Sequence, residues 1–117
     1  MENIETQKEL EWKEPVEIED GKHTGTITRV EFRSDPYEYT DIYIKLDEAD
    51  VELKYGCPTN LSENTKLGKL LIALGEKPEK GKKVRIDEVL KGKRVEFMTL
   101  VNKEGYARIV PDSIKAV

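Results

Sequence analysis

One stretch of this chain, LSENTKLGKLLIALG at residues 61–75, reads with a helical period, and it stands between segments that alternate like strands. Leu67, Leu70, Leu71 and Leu74 fall at i, i+3, i+4 and i+7, which places them on one face of a helix. Ser62 is the best N-cap and Gly75 the stop. Gly68 inside the helix costs about 1 kcal/mol relative to Ala, so it predicts close packing against a strand. A single helix of this length cannot bury its stripe alone, and a β-sheet must cover it.

The strands are legible on both sides. HTGTITRVEF, residues 23–32, is rich in β-branched residues and predicts a long first strand. Its apolar residues Ile27, Val30 and Phe32 change parity, which calls for a bulge between Ile27 and Val30, with Gly25 as the other candidate kink. RSDP makes a turn into the second strand, within DPYEYTDIYIKL. DEAD, residues 47–50, turns into VELKY, and GCPTN reads as irregular. After the helix and the turn-rich EKPEKGKK, VRIDEVL predicts a strand, or a strand plus a short turn. KGKR then joins it to RVEFMTLV, and NKEG makes a hairpin into YARIV. Three strands, a helix, then two or three strands is the chain order of an OB-fold. The expected fold is mainly β, a small OB-like barrel of five to six strands with one helix between strands 3 and 4. The alternative is an open antiparallel sheet with the helix on one face.

Charge divides the chain in two. Residues 1–20 hold eight acids against two lysines, a balance of −6, while residues 21–117 carry +2. The expected organisation is an acidic, partly mobile arm over 1–20 and one domain over 21–117. Within Lys77–Arg94 eight bases face three acids, so the domain has a basic edge. Nothing apolar approaches the ~18 residues of a membrane span, and MENIETQKEL is too acidic for a signal peptide. One cysteine excludes an internal disulfide, and the cytoplasm is the expected location, with no membrane partner.

Catalytic and cofactor chemistry finds no purchase. His23 is the sole histidine, and Cys57 has no spaced partner to activate it, so it reads as a small, partly buried loop residue. Asp47, Glu48 and Asp50 share a turn but lack the Gly and terminal Glu of a calcium loop. No Gly-rich phosphate cradle follows a strand. The expectation is a non-enzymatic protein with no cofactor and no metal.

The remaining signal is aromatic. In DPYEYTDIYIKL, Thr40, Ile42, Ile44 and Leu46 form an apolar face, which leaves Tyr37, Tyr39, Asp41, Tyr43 and Lys45 facing water. Same-face side chains repeat every ~6.6 Å along a strand, a spacing that suits consecutive unpaired bases. Arg29, Arg33, Lys45 and Lys54, with Lys91, Lys93 and Arg94 of the KGKR segment, are the candidate phosphate contacts. The second and third strands of an OB-fold, flanked by the loops after strands one and four, form its ligand face. The bland reading is that the tyrosines simply stabilise the sheet by cross-strand pairing or pack on Trp12 of the arm.

The runs PYEYTDIYIKLD, LSENTKLGKLLIALG, VLKGKRVEFMTLV and YARIVPDSIK together resemble small OB-fold single-stranded-DNA-binding proteins of phages and related archaeal or bacterial proteins. The likeness spans about residues 21–115 and rests on element order and texture, including the step Leu90, Gly92, Lys93, Val95 and Phe97. It implies coating of single strands, with replication or recombination proteins as further partners. In the bacterial coat proteins the acidic segment is C-terminal, whereas here it comes first. The expected function is therefore binding of single-stranded nucleic acid, DNA before RNA. The rival is a protein-interaction or assembly module that uses the same aromatic face.

Overall fold

A computed structural model describes residues 9–12 and 17–117. Residues 1–8 and 13–16 of the expected acidic arm lie outside the described residues. The strands are β1 (Gly21–Arg33), β2 (Tyr39–Leu46), β3 (Glu52–Pro58), β4 (Arg94–Val101), β5 (Ala107–Ile109) and β6 (Lys115–Ala116). Helices α1 (Lys66–Ala73) and α2 (Ile86–Leu90) lie between β3 and β4. All ladders are antiparallel, in the order β3-β2-β1-β4-β5, with β6 on β4, and the sheet curls into a nearly closed barrel compatible with an OB-like fold.

Strand β1 serves both halves of that curl. Its first half pairs β4 and its second half pairs β2. The register slips between Ile27 and Arg29, the bulge that the parity change demands. At Gly25 β2 approaches closely: a Cβ there would sit 2.4 Å from the Lys45 carbonyl oxygen. Ile27, Ile42, Ile44, Val95 and Phe97 fill the interior from the strands, and Leu67, Leu70, Leu71 and Leu74 close it from α1. Tyr55 is buried too, and its hydroxyl accepts a hydrogen bond from the Asp112 N–H at 3.1 Å. Among the described residues no helix is long and apolar enough to cross a membrane.

Four sequence expectations are corrected. The N-cap of α1 is Thr65, whose Oγ1 accepts from the Gly68 N–H, and Ser62 lies one turn earlier with its carbonyl accepting from Thr65. Gly68 packs against the Ser62 backbone and not against a strand; a Cβ there would lie 1.7 Å from the Ser62 oxygen. Residues 56–58 are not irregular: they complete β3, where Cys57 is fully buried in a strand rather than half-buried in a loop. VRIDEVL contains helix α2 instead of a strand. Its apolar residues satisfy both periods over so short a run, and Asp87 and Glu88 in the first turn favour the helix through its dipole. As a result KGKR joins α2 to β4, and the turn between β4 and β5 is NKEG.

Candidate nucleic-acid interface

The registers fix which side chains share the outer face of β1, β2 and β3. Tyr39 stands opposite Arg33 and Pro58, Asp41 opposite Glu31 and Gly56, Tyr43 opposite Arg29 and Lys54, and Lys45 opposite Thr26 and Glu52. Six of the ten residues singled out by the sequence thus occupy one sheet face. Thr26 also pairs with Arg94 of β4, so the bottom row runs on to a seventh. Tyr37 lies in the turn before β2 and is 72% exposed. The segment carrying Lys91 and Lys93 runs along β1 at its bulge. There the Ile27 N–H donates to the Lys93 carbonyl at 2.9 Å, and the Gly92 N–H donates to the Ile27 carbonyl at 2.8 Å. KGKR therefore flanks the face, although not as the loop between the fourth and fifth strands.

The tyrosine rings are not bare. The Arg29 guanidinium lies over the Tyr43 ring, 3.8 Å from its centroid, and Arg33 lies over Tyr39 at 4.7 Å. Each stack is locked by acids. Arg29 donates to Glu52 at 3.1 Å and also to Glu31, while Arg33 donates to Asp41 at 2.7 Å. Burial, then the nearby Glu31 carboxylate, pushes the Tyr43 hydroxyl above its ordinary range, and that hydroxyl donates to Glu31 at 3.4 Å. Asp41 is nearly buried, and the room for its carboxylate comes from Gly56, where a Cβ would approach within 3.1 Å of Oδ1.

The lower edge is similarly compensated. Arg94 makes a two-pronged contact with Asp47, which also accepts from Thr24 at 2.7 Å. These hydrogen bonds, Arg94 first, hold the Asp47 carboxyl down at about 2. Lys45 reaches Asp50 at 3.3 Å. Glu48 of the same turn accepts from His23 Nδ1, and the Glu19 carbonyl accepts from Nε2 at 2.7 Å. Two acceptors require two N–H donors, so this geometry is that of an imidazolium. Burial opposes the charge, but the two hydrogen bonds outweigh it and raise the His23 pKa. The acids of the DEAD turn are each taken by a base, and among the described residues no group of three metal-ligating side chains forms.

Two structural facts were beyond sequence reasoning. Glu31 and Glu52 anchor the stacked Arg29 and Asp41 the stacked Arg33, and for the pairs between strands the only available signal, opposite charges on different strands, has no meaning until the register is known. Gly56 read as loop punctuation, yet it makes room for Asp41. Conversely, Trp12 does not pack on the tyrosines, being 99% exposed. Burial raises the Cys57 thiol to about 11, which removes it as a nucleophile at neutral pH. The sequence matches no family model and no curated protein.

Proposed function

We propose that this chain is a non-enzymatic OB-type binder of single-stranded nucleic acid, DNA in the first instance, acting through the outer face of β1, β2 and β3. The observation that carries the reading is the pair of stacked Tyr–Arg units, Tyr39 with Arg33 and Tyr43 with Arg29, on one sheet face, the tyrosines four residues apart on β2 with Asp41 between them. Guanidinium planes stack bases as aromatic rings do, so each unit offers a flat platform whichever group faces the ligand. Where a base displaces the arginine from its ring, the freed guanidinium turns to the neighbouring phosphate. Lys54 beside Tyr43, and Lys91 and Lys93 along β1, supply further phosphate contacts. Tyr37 extends the platform at the open end.

Titration of a fluorescent oligothymidine at low and high salt tests the reading. The parent should bind, more weakly as salt rises. The Tyr37→Ala, Tyr39→Ala, Tyr43→Ala variant, shown folded by circular dichroism, should lose about tenfold or more, given ~1–3 kcal/mol per stacked base. A parent chain that leaves the oligonucleotide untouched at low salt ends the proposal.

One observation favours the second reading, a protein-interaction module. Three acids, Glu31, Asp41 and Glu52, neutralise the two arginines of the face, and a nearly neutral aromatic surface suits a protein as well as a polyanion.

A further inference from the structure

The guanidinium of Arg29 lies where a stacked base would lie, 3.8 Å from the centroid of the Tyr43 ring. Its donors turn to two carboxylates. Nε and Nη2 both donate to one oxygen, Glu52 Oε1, at 3.3 and 3.1 Å, and Nη1 donates to Glu31. Glu52 does not depend on the arginine for its placement. It stands on β3, yet its side chain crosses β2 to reach β1, where Thr28 Oγ1 donates to its other oxygen at 2.5 Å. That hydrogen bond, opposed by burial and aided by Arg29, holds the Glu52 carboxyl below its usual range. With Arg29 withdrawn, Thr28 still fixes Glu52 and leaves Oε1 as an open acceptor at the edge of the ring. The Tyr39 platform differs. Its carboxylate, Asp41, has a side chain only 5% exposed, against 33% for Glu52 and 51% for Glu31, so the acids stand open to a ligand over Tyr43.

The group this position holds is flat, lies on a tyrosine and points two adjacent N–H donors at a carboxylate. Among the bases, guanine presents that pattern on its Watson–Crick edge, where N1–H and the exocyclic N2–H flank C2 as Nε and Nη2 flank Cζ of arginine. Thymine sets its one N–H between two carbonyl oxygens, which a carboxylate repels. In adenine and cytosine the amino group adjoins an acceptor nitrogen. A site built around a fixed acceptor rejects bases that leave it unpaired. We infer that Tyr43 and Glu52 form a guanine subsite: the base replaces Arg29 on the ring, donates N1–H and N2–H to Glu52 Oε1, and releases Arg29 to a phosphate. The inference rests on the single-strand reading proposed above and adds a preferred base to it. Free guanine nucleotides carry the same edge, so the test includes one.

Fluorescence anisotropy on the full chain compares oligothymidines of one length, unaltered or with a single central dG, dA, dC or deoxyinosine. Calorimetry with GMP supplies the free-nucleotide arm. The dG strand should bind about tenfold tighter than the unaltered one, within what one good two-pronged base contact discriminates. Deoxyinosine, which lacks only the N2 amine, should lose most of that gain, and dA and dC should show little of it. Glu52→Gln should bind unaltered oligothymidine more tightly, because a repelling charge is gone, and should lose most of its preference for dG; the tighter binding also shows that the variant is folded. GMP should bind more weakly than the dG strand, since it brings no neighbouring phosphates. Equal affinities for the dG and unaltered strands overturn the inference and leave single-strand binding standing, as does a Glu52→Gln variant that keeps the preference in full. GMP bound as tightly as the dG strand, or in its place, overturns the strand as the source of the base. A chain that ignores strands and GMP alike loses both readings.

Discussion

The two cationic regions of this molecule differ in what their charges face. On the β1–β3 face, Arg29, Arg33 and Lys45 each contact a carboxylate, and only Lys54 has none within 4.0 Å among the described residues. From Lys77 to Arg94 the proportion is reversed: Lys82, Arg85 and Arg94 are paired, and the other five bases have no carboxylate within 4.0 Å among the described residues. A paired cation must leave its carboxylate to reach a phosphate, whereas an unpaired one only gives up counterions. The comparison separates two contributions that sequence reasoning had merged. On the proposed nucleic-acid reading, the face supplies flat surfaces and orientation, and the flanking basic segment supplies salt-dependent attraction.

The largest expected effect comes from breaking the face. Gly25→Ala would push a Cβ into the Lys45 carbonyl and the Ile44 side chain, both backbone-fixed neighbours on β2. Urea unfolding should show a loss of about 3 kcal/mol, the upper end for overpacking. A midpoint within experimental scatter of the parent would mean that β2 does not approach Gly25 as closely as described.

Asp41→Asn sharpens the comparison, since its two effects have opposite signs. Releasing Arg33 from its nearly buried partner should cost about 1 kcal/mol of stability, kept small because the guanidinium is half in solvent. On the nucleic-acid reading the same variant should bind oligothymidine more tightly, because a repelling charge is gone and an arginine is set free. Weaker binding by a folded Asn variant would show that the locked stack, and not the free cation, is the competent form.

Removal of unpaired charge should act on the salt dependence instead. Lys83→Gln, Lys91→Gln, Lys93→Gln should lower the slope of log affinity against log salt by up to about 2, at ~0.7 per phosphate contact on a single strand. Lys45→Gln, whose charge already faces Asp50, should change it less. Equal slopes for parent and triple variant would remove the basic segment from the interface.

The smallest effect belongs to His23. Its pKa is raised in the folded state, so the protonated form stabilises the fold; that contribution is complete below the unfolded value near 6.5 and is lost as pH rises through the higher folded value. Melting temperature measured from pH 5 to 9 should therefore fall across that window in the parent more than in His23→Gln. Identical profiles would show that the Glu48 and Glu19 contacts do not hold the proton.

How far the sequence could be read depended on the range of the interactions involved. The leucine stripe of α1, the alternation of β2 and β4, and the parity slip at Ile27 follow from neighbours a few residues apart, and each stands as expected. VRIDEVL reads as a strand from sequence because its four apolar residues satisfy two periods over so short a run, whereas the structure makes Ile86–Leu90 a helix. The ten candidate site residues were chosen by type and parity, and the face they share could not be known before the strands were ordered.

The sequence alone determined the order of β1, β2, β3, α1 and β4, the apolar interior and the separation of acid from base along the chain, because backbone propensity and hydrophobic burial act locally and everywhere. Only the tertiary structure decided that Arg29 and Arg33 lie on the tyrosines and answer to Glu52, Glu31 and Asp41, and that Arg94 answers to Asp47. Apart from Arg29–Glu31 within β1, those pairs join residues from 8 to 47 positions apart, and each charge finds its partner through the pairing of the folded sheet, which no stretch of sequence contains.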